Sequence, residues 1–213
     1  WGASGGLGSF GVQLCAVTGA NAIGIVGSDD KKEHVLSLGA KGVLNRKDFN
    51  CWGQLPTVNG PEFKDYMKES RKFGKAIWEL TDKKDVDIVF EHPGESTFPV
   101  SVFVVKRGGM VVICAGTTGF NLTMDARFLW MRQKRVQGSH FANLKQASAA
   151  NQLVINRRID PGMSEVFPWE DIPAAHDKML DNKHLPGNMA VLVTSPKPGL
   201  RTVEDVLAVN GQA

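Results

Sequence analysis

The stretch WGASGGLGSFGVQLC, residues 1–15, places a glycine-rich turn immediately before a helix of small residues. Within it, Ala3-x-Gly5-x-x-Gly8 matches the dinucleotide-binding fingerprint G-x-G-x-x-G except for the alanine. A side chain at Gly5 would hold the backbone away from a pyrophosphate, and one at Gly8 would push the helix off the sheet. The free N–H groups of the first helical turn can then bind phosphate. The residues predicted to bind a nucleotide here are Ser4, Gly5, Gly6, Leu7 and Gly8. The alternative is a turn that only packs a helix on a strand.

Helices and apolar strands alternate about six times along the chain up to residue 156. The pattern predicts helices over 8–18, 30–38, 62–80, 97–105, 126–134 and 145–156, and strands over 21–26, 42–45, 85–91, 110–113 and 135–139. The strands are apolar on both faces, which is typical of a parallel sheet covered by helices on both sides. The predicted fold class is therefore α/β, a doubly wound parallel sheet of the Rossmann type.

Two local signals bear on the ends and continuity of these helices. Asp30 and Glu33 have capping-box spacing, so we expect the second helix to begin at Asp30. Gly74 lies inside the long charged helix and is expected to interrupt it.

The alternation of helices and strands changes near residue 156, and prolines recur after this point. We predict a dinucleotide-binding domain over 1–156, whose first strand is cut short because almost nothing precedes the glycine turn. Residues 157–213 are predicted to be a return segment that contributes to a substrate domain absent from this chain. This segment is expected to hold a helix at 173–180, a strand at 188–193 and a short helix at 203–208.

Composition excludes several classes of protein. The chain has 213 residues, a net charge of +3 and 42% hydrophobic residues, as expected for a globular protein and too weakly basic to indicate nucleic-acid binding. Its three cysteines are far apart, which argues against a disulfide scaffold or a cysteine-ligated zinc site and favours a reducing compartment. No apolar run is long enough to span a membrane and no signal peptide is recognisable, so we expect a cytoplasmic protein.

The end of the second strand indicates which nicotinamide cofactor is bound. NAD-selective folds place a carboxylate there, on the adenosine ribose, whereas this chain has Ser28. Ser28 and Lys32 suit a 2′-phosphate, and Arg46 after the next strand adds charge. These residues favour NADPH over NADH, although the nearby carboxylates of Asp29 and Asp30 keep both readings open.

Small and polar residues follow two later strands, at the edge where open α/β sheets bind their ligands. Glu91 ends one strand and His92 follows it, while Cys114, Ala115 and Gly116 follow the next strand. These five residues are predicted to line the cofactor, the alternative being ordinary loops.

His140 follows the last strand of the series, near the same expected site. From its position alone it is either a catalytic group or a structural histidine. We predict no metal site, because no pair of histidines has ligand spacing together with a carboxylate or thiolate.

The glycine turn resembles that of the medium-chain dehydrogenase/reductases. Residues 85–121, with their EHPG and CAGTTG motifs, and residues 127–154, with GSHFAN, resemble more specifically the crotonyl-CoA carboxylase/reductases. This resemblance extends over essentially the whole chain.

The resemblance implies a chemistry for the protein. In that family NADPH delivers hydride to C3 of crotonyl-CoA, and the resulting enolate attacks CO₂ at C2 to give ethylmalonyl-CoA. By motif correspondence, His140 in GSHFAN would help to hold CO₂, and Arg127 would contact coenzyme A. The resemblance also implies a homo-oligomer, a tetramer, and we expect the chain alone to be inactive.

Two other functions remain open. One is a non-carboxylating enoyl-CoA or quinone reductase of the same superfamily, which would share the glycine turn without needing GSHFAN. The other is a nucleotide-binding module with no catalysis of its own.

Overall fold

The helices and strands follow the predicted alternation. The computed structural model describes residues 1–181, 183–193 and 197. The helices are α1 (Gly6–Thr18), α2 (Lys32–Ser37), α3 (Phe63–Leu80), α4 (Phe98–Val104), α5 (Ala126–Trp130), α6 (Leu144–Ile155) and α7 (Ile172–Leu180). The strands are β1 (Ile23–Val26), β2 (Gly42–Asn45), β3 (Val86–Glu91), β4 (Val105–Ile113), β5 (Arg135–Gly138), β6 (Met163–Pro168) and β7 (Asn188–Leu192). Short 3₁₀ turns occupy Asp29–Lys31, Arg46–Asp48 and Trp169–Asp171.

The described strand pairs are all parallel, which confirms the predicted α/β fold of the Rossmann type. The pairs are β1 with β2, then β3 with β4 with β5, and finally β6 with β7. The segment Trp1–Ala3 lies between the first two groups. The Ala3 nitrogen donates to the Ile25 carbonyl at 3.1 Å, and the Trp1 nitrogen donates to the Phe90 carbonyl at 3.1 Å. These three residues therefore join β1 and β3 into one strand order.

Helix α1 lies against this segment because Gly8 has no side chain. A Cβ atom at Gly8 would come within 2.1 Å of the Gly2 carbonyl oxygen and 2.7 Å of the Ala3 Cα. Gly2 itself has φ +58°, and its carbonyl accepts the Gly5 N–H at 3.0 Å. The sequence argument for glycine at position 8 is thus matched by a backbone contact that leaves no room for a Cβ.

The segment that carries β6 and β7 contacts the same region. Gly187 forms a parallel bridge with Gly5, and its N–H donates to the Ser4 carbonyl at 3.2 Å. Gln13 on α1 exchanges two hydrogen bonds with the backbone of Asp160, at 2.9 and 2.7 Å. The later segment therefore packs on the glycine turn. The division into domains at residue 156 stays a prediction.

One of the core clusters among the described residues is rich in aromatic rings. Trp1 stacks on Phe73 with ring centroids 5.7 Å apart, while Trp52 and Phe49 contact the same ring edge-on. Phe73 and Ile77 of α3 are buried one helical turn apart, together with Val100 of α4. This spacing places one face of α3 in the core, as the helical period requires.

Several expected element boundaries are wrong. Helix α3 runs unbroken through Gly74, because a single helical glycine costs only about 1 kcal/mol and the flanking Phe73 and Ile77 are buried. The capping box at Asp30 does not form; a 3₁₀ turn precedes α2, and no side chain caps it. Strand β4 begins at Val105, five residues before the expected start, and α5 ends at Trp130 rather than at residue 134. Strand β6 has no counterpart in the sequence prediction. The expected helix 203–208 lies outside the described residues.

We predict that Gly8→Ala destabilises the protein by about 1–3 kcal/mol, because the new methyl group would collide with backbone rather than with a mobile side chain. The control is Gly11→Ala in the same helix, where a Cβ meets nothing within 4 Å. That change should be neutral or stabilise by about 0.5–1 kcal/mol. Urea denaturation of both variants measures the difference. Equal stability of the two would contradict the close approach at Gly8.

Candidate functional site

The glycine turn presents an open helix N-terminus at the carboxyl edge of the sheet. Gly5 is the N-cap of α1 in extended conformation, and no side chain caps the helix. The N–H groups of the first turn have no intrahelical acceptors, and this turn contains no acidic residue. Leu7 is 53% exposed beside them, whereas Ser4 is buried. The positive end of the helix dipole can therefore receive an anion such as a pyrophosphate.

Asn188 adds a side chain to this turn that the sequence did not indicate. A Cβ at Gly6 would lie 2.0 Å from the Asn188 Oδ1, so this amide lies directly against Gly6. Its Nδ2 donates to the Pro161 carbonyl at 2.7 Å, which fixes its orientation. Asn188 is 182 positions downstream of Gly6, and no sequence motif predicts that it lies beside the turn. Only the fold shows this contact.

The three residues predicted to select NADPH are placed at one edge by strand pairing. Val26 pairs with Asn45, so Ser28 and Arg46, which follow these strand ends, belong to the same edge. Lys32 stands one helical turn beyond Ser28, and its Nζ lies 2.6 Å from the Asp29 Oδ1. This hydrogen bond lowers the pKa of Asp29 below its usual value. The cation favours a phosphate, but part of its charge is already balanced by Asp29.

Glu91 directs its carboxyl group into the protein. The residue is fully buried; its Oε1 accepts the Gly94 N–H at 3.0 Å and the Thr97 hydroxyl at 2.7 Å. Its Oε2 accepts a hydrogen bond from the Ser101 hydroxyl. The hydrogen bonds of this side chain thus all go to protein groups. The predicted contact of Glu91 with the cofactor stays a prediction, now limited to its backbone.

The loops after β3 and β4 interlock beside this carboxyl group. The Thr117 and Thr118 N–H groups donate to the carbonyls of His92 and Pro93, at 3.3 and 2.8 Å. Gly94 has φ +86°, and a Cβ there would lie 2.9 Å from the Gly116 Cα. The structure therefore brings the predicted segments around His92 and Cys114–Gly116 together.

His92 connects these loops to the segment Trp1–Ala3 through a hydrogen bond. Its Nε2 lies 2.9 Å from the Trp1 carbonyl, which can only accept, so this nitrogen donates. Burial lowers the pKa of His92 below its usual value. The imidazole is held in a structural contact, and its predicted role at the cofactor stays a prediction.

His140 lies exposed just beyond β5. The Ser139 N–H still donates to the Ile113 carbonyl at 2.8 Å, so the sheet positions the chain up to this point. The imidazole lies against Phe141, with ring centroids 4.0 Å apart. Because β3, β4 and β5 are adjacent and parallel, His140 stands at the same edge as Glu91 and Cys114. Its catalytic role stays a prediction.

Arg127 is held by its neighbour Asp125. The guanidinium Nη2 lies 2.7 Å and Nε 2.9 Å from the two carboxylate oxygens, and Asp125 is buried. This pair lowers the pKa of Asp125 below its usual value. Arg127 also lines a cavity of about 330 Å³ together with Arg71 and Arg132.

A larger cavity of about 440 Å³ adjoins this one and shares Arg71, Phe128 and Arg132 with it. Lys134 lies at its wall, where burial lowers the pKa of the amine to about 8. The amine donates to the Val102 and Phe103 carbonyls at 2.7 and 2.9 Å. Arg127 thus stands beside a cavity lined by the cations Arg71 and Arg132 and by Phe128. The adjoining cavity, which Lys134 lines, reaches Val105 at the start of β4.

Comparison with known proteins relates this architecture to one family. Residues 6–156 match the model of the zinc-binding dehydrogenases. The crotonyl-CoA carboxylase/reductase of Cereibacter sphaeroides is 69% identical over the whole chain, which covers 50% of that relative.

Solved structures give the same result. A crotonyl-CoA carboxylase/reductase superposes with a TM-score of 0.94 at 72% identity, over 98% of this chain and 49% of its own. The 2-octenoyl-CoA carboxylase reductase CinF, in complex with NADP and 2-octenoyl-CoA, has a TM-score of 0.83 at 34% identity, over 99% of this chain and 46% of its own. The chain thus spans about half the length of the relatives it matches.

The described residues provide no ligand set for the metal in the family's name. Across 1–181, 183–193 and 197, no group of three or more His, Cys, Asp and Glu side chains is placed to hold an ion, so we assign no metal ligand there. Within the same ranges, every helix is too short or too polar to cross a bilayer.

We predict that His92 makes stability depend on pH. Because burial lowers its pKa in the folded state, the unfolded chain binds more protons at His92 just below the ordinary histidine pKa of about 6.5. Stability should therefore fall as the pH drops through this value. His92→Gln keeps an N–H donor without titrating, so its urea midpoint should fall less between about pH 7.5 and about pH 5.5. His176→Gln on α7 is the control. An unchanged pH dependence in His92→Gln would exclude this role.

Proposed function

The chain belongs to the zinc-binding dehydrogenase family, and we propose that it is the cofactor-binding part of an NADPH-dependent enoyl-CoA carboxylase/reductase. The observation that carries the proposal is the 69% identity to a crotonyl-CoA carboxylase/reductase along the entire chain. In the proposed reaction NADPH, crotonyl-CoA and CO₂ give ethylmalonyl-CoA and NADP⁺.

The glycine turn suits the pyrophosphate of the cofactor. Gly5 leaves the backbone bare at the N-cap of α1, and Gly8 lets the helix start directly against the first strand segment. We assign the pyrophosphate to the N–H groups of this first turn, and the nicotinamide end to the interlocked loops at His92 and Cys114–Gly116. When bound there, NADPH supplies the hydride for C3 of the enoyl thioester. The chain's own task is to hold and orient it.

The preference for NADPH is assigned to Ser28, Lys32 and Arg46. A serine hydroxyl and two cations suit a 2′-phosphate, which a carboxylate at the strand end would repel. Asp29 stands outside this group as the partner of Lys32. It holds the lysine near the strand end, where a phosphate with two negative charges competes well for the ammonium.

Carboxylation requires control of the substrate enolate after reduction. The enolate carbon C2 attacks CO₂ in competition with protons from water. We assign to His140 the task of favouring CO₂, because a neutral imidazole N–H stabilises the carboxylate as its charge develops. The exposed position of His140 at the carboxyl edge of the sheet supports this assignment.

The coenzyme A contact is assigned to Arg127. Coenzyme A carries phosphates, and Arg71, Arg132 and Lys134 lie in the adjoining cavities. The pairing with Asp125 keeps the guanidinium oriented at its cavity wall. A cytoplasmic location and a homotetramer remain part of the proposal by family resemblance.

Two alternative functions are kept. One is a non-carboxylating enoyl-CoA or quinone reductase, and the other is a nucleotide-binding module that is not an enzyme. The first would oxidise NADPH without incorporating CO₂. The second would bind NADPH without turnover in the full-length protein.

We predict that Lys32→Ala weakens NADPH binding by roughly 10- to 100-fold, since a charge-assisted contact to phosphate contributes about 1.5–3 kcal/mol. NADH binding should barely change. Titration calorimetry with both cofactors measures this, with Lys31→Ala as the neighbouring control. Equal losses for NADPH and NADH would remove Lys32 from the 2′-phosphate.

We predict that His140→Asn in the full-length protein shifts the products from ethylmalonyl-CoA toward butyryl-CoA by roughly 10- to 100-fold, the effect of one hydrogen bond worth about 1–3 kcal/mol. NADPH oxidation should partly survive. The assay contains crotonyl-CoA, bicarbonate and carbonic anhydrase, with products identified by mass and His176→Asn as control. A constant product ratio with both products reduced would assign His140 to binding, hydride transfer or structure instead.

A further inference from the structure

The carboxyl group of Glu91 is the acceptor at the centre of a turn that adjoins the candidate cofactor site. Its two oxygens accept from three donors, namely the Gly94 N–H and the hydroxyls of Thr97 and Ser101. A carboxylate can accept several hydrogen bonds and donates none, so it can satisfy all three at once. Among the residues that the structure describes, Glu91 and Asp125 carry the buried carboxyl groups, and Glu91 is the more completely enclosed of the two.

These hydrogen bonds fix both the turn and the helix that follows it. Thr97 is the N-cap of α4, yet its hydroxyl donates to Glu91 instead of capping the helix. Ser101, one turn further along α4, also accepts the Trp1 indole N–H at 2.8 Å. Glu91 therefore ties the end of β3 to the first turn of α4 and, through Ser101, to the first residue before the glycine turn.

The same turn determines where the loop after β4 lies. The carbonyls of His92 and Pro93 accept from Thr117 and Thr118, so displacement of 92–94 would move both loops. The Cys114 N–H also donates to the Glu91 carbonyl at 3.2 Å. The position of the loop Cys114–Gly119 thus depends on the conformation that the Glu91 side chain stabilises.

We propose that Glu91 is a positioning residue for the reductase reaction: its buried carboxyl group sets the two loops against which the nicotinamide end of the cofactor is aligned. It acts through Gly94, Thr97 and Ser101 and does not touch the cofactor with its side chain. This inference rests on the proposed function. It assigns to Glu91 the orientation of the hydride donor, while the glycine turn supplies the affinity for the pyrophosphate.

This division of roles between Glu91 and the glycine turn predicts how the kinetics change when Glu91 is replaced. Removing the carboxyl group should lower kcat by about 10- to 100-fold, because a displacement of roughly 1 Å at a reacting centre has an effect of this size. The dissociation constant for NADPH should change by less than about threefold, since Lys32 and the glycine turn remain intact. Hydride transfer should also become more rate-limiting, so the primary deuterium isotope effect with 4-deuterated NADPH should rise.

The experiment compares Glu91→Ala, Glu91→Gln and Thr97→Val in the full-length protein with crotonyl-CoA. Glu91→Gln keeps an oxygen for Gly94 and Thr97 and should restore most of kcat. Thr97→Val removes one hydroxyl at similar volume, so it tests the network even if Glu91→Ala does not fold. The matched control is Asp87→Asn, an exposed carboxylate on the same strand that pairs with Lys106.

The outcomes separate the two proposals. A wild-type protein that does not oxidise NADPH with crotonyl-CoA would refute the proposed function. With an active wild type, the inference is wrong if Glu91→Ala and Thr97→Val keep the wild-type kcat and isotope effect, even where less protein folds. It is also wrong if the dissociation constant for NADPH rises as much as kcat falls, because that result indicates a direct contact.

Discussion

The contact between Gly8 and the Gly2 carbonyl is the constraint on which the arrangement of this molecule depends. A Cβ at Gly8 would stand 2.1 Å from that oxygen, so position 8 in the first turn of α1 requires glycine. This close approach brings the unpaired N–H groups of α1 to the carboxyl edge of the sheet, beside Trp1–Ala3, which joins β1 to β3. The Gly5–Gly187 bridge then attaches the β6–β7 segment at the same place.

The loops that follow β3 and β4 at this edge are also held in place by hydrogen bonds. Parallel strands end side by side, so the residues after β3, β4 and β5 form one row. Within that row, the Thr117 and Thr118 N–H groups hold one loop to the His92 and Pro93 carbonyls of the other, and the buried carboxyl group of Glu91 accepts from Gly94. His140, by contrast, is exposed at the end of the row. The structure thus combines two hydrogen-bonded loops with an exposed histidine at the same edge of the sheet.

Much of the fold could be predicted from the sequence because its signals are local. The spacing of Gly5 and Gly8 placed the turn and α1, and apolar runs placed β1, β2, β3 and β5 within about two residues. The placement of Ser28, Lys32 and Arg46 at one edge also follows, since parallel strands bring consecutive strand ends together. The GSHFAN and EHPG motifs identified the relatives, because a residue string is compared without reference to its conformation.

Only the tertiary structure decided what these side chains contact. Glu91 ends strand β3 and resembles a ligand-facing residue, but its partners Thr97 and Ser101 come together with it only when α4 packs beside β3. Asn188 reaches Gly6 across a gap in sequence that no periodicity spans. Sequence periodicity reports which face of an element is apolar, and it therefore determined the sheet and its helices. The direction of a buried polar side chain depends on donors supplied by other elements, which exist at hydrogen-bonding distance only after the chain has folded.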